Sequence, residues 1–268
     1  MYDMEVNKLH QGDCLPFLES LPSDSVDALI TDPPYASGGL HIGSRQGSTG
    51  AKYMQSGSLG KFPDFDGDHR DQRSHLRWSV MWLSECHRIL KRGAAVCLFT
   101  DWRQLPTTTD ALQAAGFTWR GIAVWDKTEG TRPTMGRYRA QCEYIVWGSK
   151  GNMPLERGVG VLPGAYRQVV KNADKHHMTG KPVELMRQVN RICVPGGTIL
   201  DPFAGSGSTL VAAALDDYQW IGCELSPHYS DVTNARLEAL GISATTIETE
   251  YSALVKPVIM QAPPSLHL

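Results

Sequence analysis

No apolar run in the 268 residues approaches the roughly 20 needed to cross a bilayer, and the opening MYDMEVNKLHQ lacks the basic-then-apolar profile of a signal peptide. These absences predict a soluble, cytoplasmic protein. Paired cysteines are missing too. Cys14, Cys86, Cys97, Cys142, Cys193 and Cys223 stand singly, with no C-x-x-C and no Cys/His spacing of a metal site. That excludes a disulfide scaffold and predicts reduced thiols. Cys97, Cys193 and Cys223 lie in or beside apolar runs, where a free cysteine acts as a small hydrophobe. His176-His177 reads as a pair of solvated loop histidines, and no metal is implied. A strong overall charge is also absent. The formal net charge is −2, which argues against a uniformly basic nucleic-acid binder.

What is present is unevenly spread. Residues 120–191 hold thirteen Lys and Arg against six Asp and Glu, a local +7 that leaves −9 for the remainder. One face can therefore attract a polyanion while the whole stays nearly neutral, although a solvated charge run would read the same way. At 41% hydrophobic and 20% charged, the chain can bury a sizeable core.

Strand-like runs recur with helical stretches between them: VNKLHQGD, VDALITD, AAVCLFTD, RGIAVWDK, EYIVWGS, GGTILDPF and WIGCEL. That alternation predicts a doubly wound α/β fold with a mainly parallel sheet. RWSVMWLSECHRILKRG has helical spacing and should stop at Gly93, and LPTTTDALQAAGF should be a second helix ending at Gly116. RGIAVWDK and EYIVWGS have no helix between them and should form an antiparallel hairpin at one sheet edge. Asp13, Asp32, Asp201 and Glu224 follow strand runs, with Asp101 as a fifth case. Ligands of open α/β sheets bind beyond the carboxyl ends of the strands, so these acids should converge on one crevice. Two segments look unfit for a core. Residues 36–60 contain seven glycines and five serines, part of a glycine-rich insert over 36–75. Residues 151–176 are basic and broken by proline. Both are expected to flank the crevice, 36–75 as a mobile insert and 151–176 as a target-recognition segment, and the tail from Lys256 to be a loosely docked terminus after a single catalytic domain over 1–255.

Two motifs carry chemistry. Thr31-Asp32-Pro33-Pro34-Tyr35 follows the short strand VDALI, a stiff turn where most strand-end loops are supple. Gly196 to Leu215, GGTILDPFAGSGSTLVAAAL, reads as a strand, a glycine-rich turn and a helix, a place for a nucleotide-like cofactor. It is not the dinucleotide fingerprint, because the third glycine would fall at Leu210. Asp201 ahead of the turn would repel a pyrophosphate and suits a cationic ligand. Glu224, seventeen residues after Gly207, is placed to hold ribose hydroxyls. An adenosine with a cationic group and no phosphate is S-adenosylmethionine.

At these residues the sequence resembles the DNA amino-methyltransferases of the permuted β group, in which D-P-P-Y precedes an F-x-G-x-G cofactor loop. Here those are Asp32-Pro33-Pro34-Tyr35 and Phe203-Ala204-Gly205-Ser206-Gly207, with HQGDC and TGKPVELM in the expected places. The resemblance covers roughly residues 5–240. It implies a seven-stranded Rossmann-like sheet with one antiparallel strand, in circularly permuted motif order. It also implies that Asp13 contacts the cofactor's adenine amino group, with Cys14 beside it in the cofactor site, Glu224 its ribose, Asp201, Gly205, Ser206 and Gly207 its methionine, and Thr179 with Lys181 the methionine carboxylate. Phe203 would pack on the adenine. Asp13 also reads as a plain turn acid, and Lys181-Pro182 as a plain helix start.

The implied reaction is transfer of a methyl group from S-adenosylmethionine to an exocyclic amine of a base flipped out of double-stranded DNA. Asp32 and the Pro33 carbonyl would accept from the two amino hydrogens, Pro34 would stiffen the turn, and Tyr35 would stack on the base. Arg132, Arg137, Arg139 and Arg167 are candidates for DNA contacts, each also readable as a surface charge. In the family an acid before P-P-Y usually accompanies adenine-N6, and serine there cytosine-N4, so Asp32 favours adenine. RNA, a free nucleotide, or a binding-only module that keeps the fold are the competing readings. An intact D-P-P-Y argues against the last, because a binder has no use for its acceptor geometry. The resemblance further implies a bacterial or phage origin, a homodimer to which RWSVMWL could contribute, although core packing explains Trp78 and Trp82 as well, and either a solitary modifier or the methylating partner of a separate restriction endonuclease.

Overall fold

The computed structural model describes residues 4–36, 70–131, 133, 135–169 and 180–242, and the backbone of 245–248. In chain order the elements are β1 (Lys8–Gln11), α1 (Cys14–Ser20), β2 (Val26–Thr31), α2 (Gln72–Ile89), β3 (Leu90–Thr100), α3 (Leu105–Ala114), β4 (Thr118–Asp126), β5 (Cys142–Ser149), β6 (Ala165–Arg167), α4 (Val183–Asn190), β7 (Thr198–Asp201), α5 (Ser208–Leu215), β8 (Gln219–Glu224), α6 (Pro227–Glu238) and β9 (Thr245–Glu248).

The strands form one sheet in the order β6-β4-β5-β3-β2-β7-β8-β1-β9. Among the described strands only β5 runs antiparallel to its neighbours, against β3 on one side and β4 on the other. The one antiparallel strand is thus where the sequence led us to expect it, but the hairpin is not the sheet edge. β6 adds outside β4 through Val124, Trp125 and Asp126, and β9 adds outside β1, so the described sheet has nine strands where seven were expected. β6 lies within 151–176, so that segment is not wholly outside the sheet. Both additions are short strands of three and four residues. They are stabilised by pairing with an edge rather than by an apolar pattern of their own, which is why composition did not reveal them.

Side chains alternate across the sheet, and both faces are covered. Leu29, Val96 and Leu98 point to a core shared with Phe17 and Leu18 of α1, Trp82, Leu83 and Ile89 of α2, and Leu112 of α3. Ala28, Ile30, Cys97 and Phe99 point the other way, to Leu185, Met186 and Val189 of α4, Leu210 and Val211 of α5, and Leu237 of α6. Each large side chain so buried contributes about 1.5–3 kcal/mol. A sheet buried on both faces reads as continuous apolar runs, of which AAVCLF is one.

Helix α2 departs from expectation at both ends. It starts at Gln72, capped by the Asp71 carboxylate on the amides of Arg73 and Ser74, inside the stretch expected to be a mobile insert. It stops at Ile89 rather than Gly93, because β3 already begins at Leu90. Gly93 lies inside that strand with φ +81, and a Cβ there would stand 3.0 Å from the Asn152 carbonyl oxygen. α3 does end ahead of Gly116, whose φ is +97. Trp82 is buried and Trp78 packs against the core, so the aromatics of RWSVMWL serve packing and do not form an exposed face. No helix among the described residues is long and apolar enough to cross a membrane.

Candidate active site

Thr31 and Asp201, at the heads of the two motifs, lie 170 residues apart in sequence, and β2 and β7 bring them side by side. These strands pair in parallel, Leu29 opposite Leu200, so their carboxyl ends emerge together. The Thr31 hydroxyl donates to Asp201 Oδ1 at 2.6 Å, joining the strand that leads to D-P-P-Y to the strand that leads to the glycine loop. Beyond these ends opens a cleft of about 540 Å³. Asp13, Asp32, Asp101, Asp201 and Glu224 all line it, as do Pro33, Pro34, Tyr35, Cys14, Lys181, Phe203, Gly205 and Ser206. The convergence of strand-end acids follows from parallel strands sharing one carboxyl edge.

Asp32 sits in a hydrogen-bonded group that the sequence only half disclosed. The Tyr35 hydroxyl donates to its Oδ1 at 2.5 Å, and the Lys181 ammonium donates to its Oδ2 at 2.5 Å. Lys181 also reaches Glu143 Oε2 at 3.2 Å, and Lys127 reaches Glu143 Oε1 at 3.1 Å. Two carboxylates and two ammoniums therefore neutralise one another. Phe99 and Trp125 wall off Lys181 with ring centroids 5.3 and 5.9 Å from its Nζ, and its side chain is 5% exposed. Burial raises the Asp32 carboxyl, helped by Glu143, and Lys181 and Tyr35 oppose it without reversing it. Burial works against the Lys181 charge, yet Asp32 and Glu143 outweigh it and hold the ammonium above the ordinary lysine value. Glu143 would be raised by burial, but Lys181 and Lys127 hold it below the glutamate value. Tyr35 is pushed well above its ordinary value by burial and then by Asp32, so its hydroxyl remains a donor.

Glu143 and Lys127 are the residues that sequence reasoning missed. Acids were expected at the carboxyl ends of strands. β5 is antiparallel, so its amino end, Cys142-Glu143, lies on the cleft edge with the carboxyl ends of its neighbours. The hairpin held the needed signal, an acid opening an otherwise apolar strand.

At the cofactor loop Asp201 is 1% exposed, and burial raises its carboxyl to about 6 against the hydroxyls of Thr209 and Thr31 and the Phe203 amide. The Phe203 amide donates to its Oδ1 at 3.1 Å. Glu224 accepts from the Gly205 and Ser226 amides, both at 2.8 Å, and burial raises it too. Gly205 has φ +54 with no atom within 4 Å of where a Cβ would stand, so open space lies beside it. Gly207 meets a different demand. Its φ is +77 as the N-cap of α5, and a Cβ would stand 2.5 Å from Thr233 Cγ2. Glycine is required there by packing on α6. Phe203 contacts Trp82 and Trp78 at centroid distances of 5.0 and 5.4 Å. Asp13 caps α1 through the Leu15 amide at 2.9 Å and lines the cleft as well, so both of its readings have a structural counterpart. Cys14 is buried, its thiol pushed up to about 12 by burial and by Asp13, which makes it an inert apolar neighbour. Thr179 and Arg132 lie outside the described residues, as do His176-His177, residues 37–69 and the tail from residue 249. Among the described residues no group of three or more His, Cys, Asp or Glu is placed to hold a metal.

The candidate DNA-contact arginines differ from one another. Arg137 is exposed in the loop between β4 and β5, beside the fully exposed Tyr138. Arg139 is exposed but donates to the carbonyls of Glu129 and Thr131 at 2.5 and 2.9 Å, bracing that loop. Arg167 pairs with Glu129 at 3.5 Å and Asp126 at 3.9 Å. The described part of 151–176 does not line the cleft. Residues from 153 to 164 instead border a separate cavity of about 410 Å³ with Ile122, Ile145 and Trp147.

The family described as DNA methylase, of the N6/N4 type, matches residues 26–168 and 161–235. The chain belongs to the N6/N4 DNA methylase family. It is 32% identical over 236 residues to the putative methylase YubD of Escherichia coli (strain K12), covering 88% of this chain and 92% of that one. Its fold is similar to that of TTHA0409 from Thermus thermophilus in complex with S-adenosyl-L-methionine, with TM-score 0.65, 21% identity, and coverage of 90% of this chain and 98% of that one. It is also similar to the PvuII DNA methyltransferase, which is cytosine-N4-specific, with TM-score 0.63, 16% identity, and coverage of 90% and 94%. The protein is thus a DNA methyltransferase, and the family's cofactor is S-adenosylmethionine. The cleft fits that group. Its volume falls within the roughly 300–1,000 Å³ of small-molecule sites. Asp201 and Glu224 supply carboxylates suited to a cation and to hydroxyls, and the space beside Gly205 is open.

Proposed function

We propose that the protein methylates the exocyclic N6 amine of an adenine drawn out of double-stranded DNA. The observation that supports this most is the Asp32 carboxylate, held in the cleft by Tyr35 and Lys181 on a strand end beside that of the cofactor loop. S-adenosylmethionine, when bound, supplies an electrophilic methyl group on sulfur. The residues for holding it are Asp201, Phe203, Gly205 and Glu224, with Asp13 at the adenine side.

An exocyclic amine is a poor nucleophile because its lone pair is delocalised into the ring. Acceptors aimed at its two hydrogens draw the nitrogen towards tetrahedral geometry and fix its direction of attack. In this reading Asp32 and the Pro33 carbonyl are those acceptors, and the two prolines keep them in place. Each carboxylate oxygen has two lone pairs, so Asp32 can receive the amine while Tyr35 and Lys181 hold its orientation. Transfer would break the sulfur–methyl bond and leave a neutral thioether; the methylated nitrogen would then be acidic, and Asp32 stands where its proton would go. The upward shift of that carboxyl by burial makes it a better acceptor. Tyr35 offers the base an aromatic face. Arg137 in the β4–β5 loop and the basic stretch 120–191 supply attraction for the phosphate backbone.

The test is to incubate the protein with unmethylated duplex DNA and S-adenosylmethionine, digest to nucleosides and identify the product by mass spectrometry beside Asp32→Ala. N6-methyldeoxyadenosine in the wild type, falling roughly 100- to 1,000-fold in the variant while cofactor affinity persists, is the expected result. N4-methyldeoxycytidine would keep the mechanism and overturn the base.

A further inference from the structure

The turn after β3 contains neither motif, yet it stands at the cleft. Asp101, Trp102 and Arg103 all line it. Asp101 Oδ1 accepts from the amides of Arg103 and Gln104 at 2.9 and 3.0 Å, which fixes the turn. The buried Gln104 side chain donates to the Ala36 carbonyl at 3.4 Å, which ties the turn to the residue after Tyr35. Trp102 is 56% exposed, whereas Trp82, Trp125 and Trp220 are buried in the core. The exposed indole is nevertheless held in place. The Arg103 guanidinium lies over its ring, 4.8 Å from the centroid, and is itself bound to Asp101 Oδ2 at 3.2 Å.

Exposure alone would mean little. Trp119 is 41% exposed as well, but its indole N–H donates to the Gly121 carbonyl at 3.0 Å and it does not line the cleft. Trp102 combines a large apolar face in water, a cationic clamp that limits its rotamers, and a place on the wall of a cleft that must admit a nucleotide. Every base has a π-face, so an aromatic platform of this kind recognises nucleic acid without regard to sequence. We propose that Trp102 stacks on a DNA base at the mouth of the cleft and positions the strand from which the target nucleotide is drawn, with Arg103 holding the indole. This rests on DNA as the substrate.

The experiment measures binding of two single-stranded oligomers of equal length, one of mixed sequence and one abasic throughout, to wild-type protein, Trp102→Ala and Trp102→Phe. Wild type should prefer the base-bearing oligomer. Trp102→Ala should lose roughly 5- to 150-fold in affinity for it, Trp102→Phe should retain most of the affinity, and cofactor affinity should not move. Affinity for the abasic oligomer and the salt slope should be unchanged in both variants. Wild-type affinity in Trp102→Ala, or an equal loss on both oligomers, would overturn the inference and leave the DNA reading intact. Wild type that binds duplex DNA but neither oligomer would overturn the inference alone, and wild type that binds neither oligomer nor duplex would overturn both.

Discussion

Asp201 shows how the site opposes the fold at the scale of one residue. Burial raises its carboxyl to about 6, from the 3.8 of an ordinary aspartate. A raised carboxyl keeps its proton in the folded state where the unfolded chain has already released it. Stability from this group is therefore present below about pH 4 and is lost as pH rises towards 6. Asp201→Asn keeps an oxygen acceptor for Thr31 and the Phe203 amide and removes the buried charge. The ligand-free variant should be more stable than wild type above pH 6 by about 2–3 kcal/mol, the gap closing near pH 4. Urea unfolding across pH 4–8 reads this directly, and a gap independent of pH would contradict it. An acid that costs stability on its own is expected where a cation is to be bound.

The glycine loop makes the same point at the scale of an element. Gly205 and Gly207 both take positive φ, but only Gly207 is pressed against a neighbour, Thr233 of α6. Gly207→Ala combines a left-handed alanine with a 2.5 Å approach to Thr233 Cγ2, so α5 and α6 must separate. A loss of roughly 2–4 kcal/mol in unfolding free energy is expected. Gly205→Ala meets no atom within 4 Å and should cost only about 1 kcal/mol from φ, while its methyl enters the open space proposed for the cofactor. Thermal unfolding and cofactor titration of the two variants should therefore rank them in opposite orders. In the sequence the two glycines look equivalent, and only the position of α6 separates them.

Across the whole molecule the charge pattern divides into positions that structure uses and positions that it leaves open. Of the thirteen cations in 120–191, Lys127 and Lys181 neutralise Glu143 and Asp32, Lys150 binds Asp24, Arg139 braces a loop, and Arg187 binds Asp216. The local excess thus overstates the charge available to DNA. Arg137→Ala should weaken duplex binding and lower the slope of log affinity against log salt by about one. Arg139→Ala should disturb the β4–β5 loop and leave that slope nearly unchanged. Fluorescence anisotropy across a salt series distinguishes them, and equal slopes for the two variants would show that the brace is not what sets them apart.

The sequence by itself determined the alternation of strands and helices, the single antiparallel hairpin, the two motifs and the strand-end acids. These depend on period, turn residues and short-range chemistry, all of which are local. What only the tertiary structure decided is which distant residues meet. Pairing of β2 with β7 joins Thr31 to Asp201, and the reversed direction of β5 brings Glu143 to Lys181. The pairing of β6 and β9 with sheet edges, the burial of Trp82 against the exposure of Trp102, and the different duties of Gly205 and Gly207 were decided there too. Strand order and direction set these contacts, because neighbours in a sheet are chosen by topology and not by separation along the chain.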